Sequence, residues 1–520
     1  MTAAADLLLT NAAVHTLTDG DDTAEAVAVR DGEIVRVGDA YELDFLNGVE
    51  TDVIDLGGRV LLPGFIDAHT HLRNVGRSLV HADLSAAESP DDCVELLADA
   101  ANEDRDWILG FGYDESTWDE SRYLTREDCD RVSESRPVAA FREDLHTAAV
   151  NSVALDRHAD AMPNEDVQTE GGEPTGVIVE EALDVLYDAI EPDAAETRDL
   201  LEAAQNDANS RGVTGVHDMV RNSRDPEVYR QMELDGDLSL RVRINYWSDH
   251  LDALTEIGLR TNHGSEFVQM GGVKTFTDGS FGGRTAKLSE PYADAPEAEN
   301  ESDTDGDATG QWVVAPDELR EFVAAGDDAG FQLTAHAIGD EAVREVLSAY
   351  DDTDDPGAAR HRVEHAELTD DDALDYFAES GVVASVQPNF LKWADEGGLY
   401  DARLGTERRE RSNRFADLLE AGANLAFGSD CMPLDPLLGV HWAVNAPAER
   451  QRLSVTEALR AYTLGAAYAG FDEDRLGTIE TGKRADFTVL ERSPWEHPDD
   501  IENIDVALTV VDGDVVYDRR

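Results

Sequence analysis

Val60-Leu-Leu-Pro-Gly-Phe-Ile-Asp-Ala-His-Thr-His-Leu72 is the stretch on which the fold turns. It is apolar through Ile66 and closes on His69 and His71, two residues apart. Residues i and i+2 of a strand project to one face, so both imidazoles point the same way from the strand's end. That is metal-ligand spacing, although a single His-x-His reads equally well as two polar residues closing a strand. Later apolar runs close in the same manner: His336 in FQLTAHAIGD, His365 in HRVEHAE and Asp430 in NLAFGSD. These runs, with PVAAFR, GVTGVHD, LRVRINYW, GGVKTFTDG and VVASVQP, alternate with helix-like stretches such as DELREFVAAGDDAG and SVTEALRAYTLGAAYAG. The alternation predicts an α/β fold, a closed (β/α)8 TIM barrel over residues 61–473, whose strand C-termini are where barrel enzymes build their sites.

Working outward, short alternating runs between residues 5 and 60, cut by Asp-Gly and Gly-Gly turns, predict a small antiparallel sheet. The same texture returns after Leu476. Neither end has strands enough for its own core, so residues 1–60 and 474–520 are expected to join in one small β-sandwich domain. A long insertion, about 73–206, follows the first barrel strand and is expected to form a subdomain covering the barrel mouth. Its Trp107, Phe111, Tyr113 and Trp118 suit either a pocket for an apolar substituent or the subdomain's own core. The acidic run 293–310 reads as a solvated loop. Gly279-Ser-Phe-Gly-Gly283 lacks the Lys-Ser/Thr of a phosphate loop and reads as a loop over the site, with Arg284 nearby.

Composition narrows the function classes. The 520 residues carry 42 Lys+Arg against 112 Asp+Glu, a net charge of −70, with 41% hydrophobic residues. A field this negative repels phosphates and anionic lipid, which excludes nucleic acid and membrane as expected partners. Four of the basic residues are Lys (Lys274, Lys287, Lys392, Lys483) and the remaining 38 are Arg. This bias suits a halophile, where salt screens the self-repulsion of surface carboxylates. Cys93, Cys129 and Cys431 make no CxxC pair, no basic leader precedes the first apolar run, and no stretch approaches a membrane span. A cytoplasmic protein acting on a small molecule is expected, and barrels of this size often form homodimers.

Imidazole and carboxylate donors suit Zn²⁺ first, with Fe, Mn, Co or Ni compatible by residue type. Lys274 stands in an apolar strand of a chain that almost avoids lysine. Desolvated, such an amine can lose its proton and react with CO₂ to give a carbamate, a bidentate carboxylate able to bridge two metals. The alternative is an ordinary buried lysine paired with Asp278 or another acid, with Glu180 as the substitute bridge.

The constellation LLPGFIDAHTHL, VKTFTDGS, AHAIGDEAV, RHRVEHAE and FGSDCMPLDP resembles the metal-dependent amidohydrolase superfamily, and within it the amidohydrolase 3 group of YtcJ-like proteins. FGYDESTWDE, FREDLHTAAVNS and EPTGVIVEEA resemble that group's insertion, and GTIETGKRADFTVL its C-terminal return. The resemblance implies one or two divalent ions: His69 and His71 at the more buried, His336 and His365 at the more exposed, a carboxylated Lys274 bridging, and Asp430 touching the first. Where relatives commonly have Asp-Gly-His, this chain has Asp144-Leu145-His146, a difference that bears on substrate contacts. The implied reaction is hydrolysis of a non-peptide C–N bond, amide or formamide, with Asp430 as general base and Arg142, His146, His217 and Arg284 as candidate substrate contacts. The other readings are a one-metal deaminase or cyclic-amidine hydrolase, and a regulatory relative without turnover.

Overall fold

Eight parallel strands occupy the middle of the chain: β1 (Phe65–Thr70), β2 (Val213–Val220), β3 (Arg241–Trp247), β4 (Val268–Phe276), β5 (Gln332–Ala337), β6 (Arg362–His365), β7 (Val383–Val386) and β8 (Asn424–Phe427). They pair in sequence order, β1 beside β2 through to β7 beside β8. Every residue of β1, β2, β5, β6 and β7 is buried, as expected for strands covered on both faces. The sheet all but closes just beyond β8, where the N–H groups of Ser429 and Asp430 donate to the His69 carbonyl at 3.2 and 2.7 Å. Gly428 permits that approach, since a Cβ there would meet the His69 nitrogen at 2.4 Å. The structure, a computed structural model, describes residues 4–20, 22–102, 105–142, 147–295 and 308–520. His146 and most of the acidic run 293–310 lie outside them.

Helices connect the strands where the sequence supplies caps. Pro316 opens Pro316–Asp328, whose Leu319, Val323 and Gly326 are buried one turn apart. The Asp370 carboxylate accepts the Ala373 N–H to start Asp371–Ser380, and Gly381 in the left-handed region ends it. SVTEALRAYTLGAAYAG is helical with a π-helical middle, Ala461–Gly465, between Val455–Arg460 and Ala466–Ala469. Among the described residues no helix is long and apolar enough to cross a membrane.

The chain divides into two compact units, residues 1–72 with 205–520, and the insertion 73–204. Within the first, strands from both chain ends share one six-stranded sheet, in the order 514–518, 506–511, 487–490, 60–63, 13–15 and 23–24. A four-stranded sheet of N-terminal strands packs with it through a common core that includes Leu7, Val27, Phe487 and Val510. The N-terminal sheets are not purely antiparallel as the turn signals predict. Leu7–Thr10 pairs parallel with Asp52–Asp55, and Ala13–His15 parallel with Val60–Pro63. Some forty residues separate each pair, enough for the crossover that parallel pairing needs. Val60–Pro63 and Phe65–Thr70, one apolar run in sequence, belong to different sheets, separated at Gly64. Arg241 ties β3 to the C-terminal segment through Asp486, at 2.7 and 3.0 Å, and Asp512, at 2.8 Å.

The inserted unit has its own six-stranded sheet and its own cores. PVAAFR, one of nine predicted barrel runs, is here: Val138–Arg142 pairs with Ile108–Tyr113. Tyr113 and Trp118 are buried in one apolar cluster, and Trp107 and Phe111 pack against another. These aromatics are therefore the insertion's core, and Trp118 completes its burial by donating Nε1–H to the Ala87 carbonyl at 2.8 Å.

Candidate active site

The strand C-termini and the turn after β8 bring His69, His71, Lys274, His336, His365 and Asp430 to one cavity of about 350 Å³. Nε2 of His69 and of His71 face Asp430 Oδ1 at 3.6 and 3.4 Å. These three residues offer donor atoms within 4.8 Å of one another, a candidate site for a divalent ion. The His365 ring lies 4.5 Å from that of His336 and 5.0 Å from that of His69, so the four imidazoles form one cluster. His365, Ala366, Asp430 and Cys431 all have positive φ, between 43° and 72°. Backbone held in this region costs energy in non-glycine residues, and here it is concentrated where two donors turn into the cavity.

The second ring nitrogens are assigned by their acceptors. His69 Nδ1 donates to Glu364 Oε2 at 2.5 Å and His71 Nδ1 to the Met219 carbonyl at 3.0 Å, which leaves both Nε2 lone pairs toward Asp430. His336 Nε2 donates to the Gly279 carbonyl at 2.9 Å, leaving Nδ1. His365 Nδ1 is buried without a hydrogen-bond partner among the described residues. Burial, reinforced by neighbouring cations, holds His69 and His365 well below the usual histidine range and brings His336 to about 3. Neutral imidazoles with fixed tautomers, and one buried nitrogen lacking a partner, are what metal ligation requires.

Lys274 is 1% exposed, and no hydrogen bond or ion pair holds Nζ among the described residues. Its ammonium lies 5.5 Å from the Phe276 ring centre. Burial lowers its pKa against the opposing pull of Glu364 and Asp430. Asp278 is not its partner, because that carboxylate accepts the backbone N–H groups of Ile338, Gly339 and Lys287 at 2.8–3.0 Å. Burial pushes Asp430 up from the ordinary carboxylate range, partly offset by Lys274.

Two functional features are absent from the sequence reading. Glu364 supports His69, and the fully buried Arg362 supports Glu364 through Nε at 2.8 Å while also donating to the Ala68 carbonyl and Ser385. The Glu364-His365 dipeptide carried the signal, since alternate strand positions place 362 and 364 together. The cavity's apolar wall is supplied by the barrel's own loops, including Phe281, Phe390, Trp393 and Tyr400. No periodicity marks these residues.

Other candidates go elsewhere. His217 is buried and accepts from Arg362 at 2.8 Å through Nδ1, so it supports the network and does not line the cavity. Arg284 is drawn into an ion pair with Asp294 at 2.9 Å, while Ser280, Phe281 and Gly282 of the same loop do line the cavity. Arg142 belongs to the inserted sheet and is held by Glu115 at 2.9 Å and Asp114 at 3.3 Å. Glu180 precedes helix Glu181–Ala189 of the inserted unit, and Lys274 is the residue that stands among the histidines.

The chain is similar to known proteins along most of its length. YtcJ of Bacillus subtilis strain 168 is 31% identical over 97% of this chain and 98% of its own. The N-substituted formamide deformylase of Arthrobacter pascens is 27% identical over 100% of this chain and 99% of its own. A crystal structure of an uncharacterized metal-dependent hydrolase from Pyrococcus furiosus superimposes with a TM-score of 0.80 at 31% identity, covering 94% of this chain and 99% of that one. Residues 52–517 match the amidohydrolase family, and this chain, a hydrolase with a candidate divalent-metal site at the mouth of its barrel, belongs to that family.

Proposed function

We propose that the protein hydrolyses a non-peptide C–N bond, amide or formamide, in a small molecule. The observation that carries this reading is the convergence on one cavity of four imidazoles, with His69, His336 and His365 held neutral by burial, together with Asp430 and the buried Lys274. His69, His71 and Asp430 would hold one divalent ion, Zn²⁺ first among the candidates, and His336 and His365 a second. Bound divalent ions lower the pKa of water from 15.7 toward about 7 and polarise a carbonyl. Neutral Lys274 Nζ would bond to the carbon of CO₂ with loss of one proton, and the resulting carbamate oxygens would complete the donor set. Asp430 takes the proton of the attacking water and delivers it to the leaving nitrogen, a transfer worth roughly 10²–10⁴ in rate. Glu364 and Met219 hold His69 and His71 in register meanwhile. The name of the Arthrobacter relative, an N-substituted formamide deformylase, supports the amide class.

The test is elemental analysis of the purified protein, wild type against Lys274→Ala and His69→Ala. Near two equivalents of metal, falling in both variants, is expected. One equivalent insensitive to Lys274 would favour a one-ion deaminase-like site built on the His69, His71 and Asp430 group, and none after reconstitution would overturn the reading.

A further inference from the structure

The cavity holds a second carboxyl that hydrolysis as proposed does not use. Glu367 lines it, is 2% exposed, and accepts the Tyr400 hydroxyl. No lysine, arginine or histidine forms an ion pair with it among the described residues. A buried carboxylate is costly unless a cation faces it, so a cavity-lining one whose protein partners are the neutral donors Tyr400 and Asn413 is suited to a cation brought by the ligand. The surrounding rings fit such a ligand. Phe281 and Tyr400 are 5.2 Å apart at 84°, Tyr400 and Trp393 6.2 Å at 40°, and Trp393 and Phe390 4.9 Å at 50°. The first pair is near perpendicular and the other two are tilted, so these rings do not stack on one another, and aromatic faces attract organic ammonium groups. Trp393 already does so within the chain, with Lys392 Nζ 4.5 Å from its ring centre. The net charge of −70 adds a long-range pull on cations.

We infer that Glu367, Tyr400, Trp393 and Phe281 form a subsite for a protonated or quaternary amine, so that the substrate is an amide bearing an ammonium group away from the bond that is cut. The assignment rests on the proposed hydrolase reading, which places the scissile group at the histidine cluster. A neutral apolar substituent is the competing occupant.

The test uses metal-loaded protein at constant, high ionic strength and calorimetric titration with choline and with its uncharged carbon isostere, 3,3-dimethylbutan-1-ol. Choline is expected to bind about tenfold tighter, a preference lost in Glu367→Gln and weakened in Trp393→Leu. Equal or tighter binding of the isostere, or a preference unchanged in both variants, overturns the subsite. Should Glu367→Gln fail to fold by circular dichroism, the wild-type ratio together with Trp393→Leu decides. Choline selectivity with no turnover of any amide would overturn the hydrolase reading and leave the subsite standing. Turnover of neutral formamides without choline selectivity would do the reverse.

Discussion

His69 binds Glu364 with one nitrogen and faces Asp430 with the other, and that division of labour makes the site's residues testable singly. In Glu364→Gln the acceptor loses its charge and Arg362 its ion-pair partner. Metal affinity is expected to fall about 10–100-fold, read by competition with a chelator of known affinity. A variant that binds metal as tightly as wild type would show that Glu364 does not orient His69. Asp430→Asn keeps the shape and removes the proton acceptor, so kcat on an accepted amide is expected to drop by roughly 10²–10⁴. Activity within a few-fold of wild type would assign the proton transfer to another group. At this scale the sequence was informative about donors, because His-x-His and strand-terminal His and Asp follow a periodicity. It was uninformative about Arg362 beyond its neighbour Glu364, because its wider role comes from reaching Ala68, His217 and Ser385 on three other strands.

At the scale of elements, the inserted unit's aromatics belong to its core. Trp118→Ala is expected to destabilise that unit by about 3–5 kcal/mol, seen as faster hydrogen exchange in strands Ile108–Tyr113 and Val138–Arg142. Metal content of the barrel is expected to stay unchanged. Unaltered exchange would return Trp118 to the list of candidate substrate contacts. The barrel strands were readable from apolar runs because parallel strands are buried on both faces, yet PVAAFR has the same composition and joined another sheet. Local pattern marks a strand as buried and does not identify its neighbours.

The whole molecule sets the response to solvent. With a net charge of −70, the self-repulsion of the surface carboxylates depends on screening, whose length is about 3 Å at 1 M salt and about 30 Å at 0.01 M. Dialysis to low salt is expected to lower the thermal midpoint and the helical circular dichroism, and unchanged spectra would contradict a salt-dependent fold. A second response is to pH. His361 accepts the Leu333 N–H at 3.1 Å and faces Asp327 at 3.2 Å, and burial lowers its pKa from 6.5 to about 4. Between those values the unfolded chain binds a proton that the fold does not. The contribution is therefore complete above about pH 6.5 and is lost as pH falls toward 4, by roughly 1 kcal/mol per pH unit. His361→Asn is expected to be less stable near neutrality and to show a shallower loss on acidification, measured by denaturant titration at both pH values. An identical slope would place the titration on other groups.

The sequence by itself determined the barrel, the six residues that line one cavity at the strand ends and the acidic character. Each of these is a local property: an apolar run, a residue type at a strand's end, a charge count. Only the tertiary structure decided that Gly64 divides one apolar run between two sheets and that N-terminal strands pair parallel. It also placed Arg142 and Arg284 in ion pairs and built the cavity wall from Phe281, Phe390, Trp393 and Tyr400. Those outcomes depend on which distant segments meet, and the free energy of such contacts is absent from any window of sequence short enough to show a period.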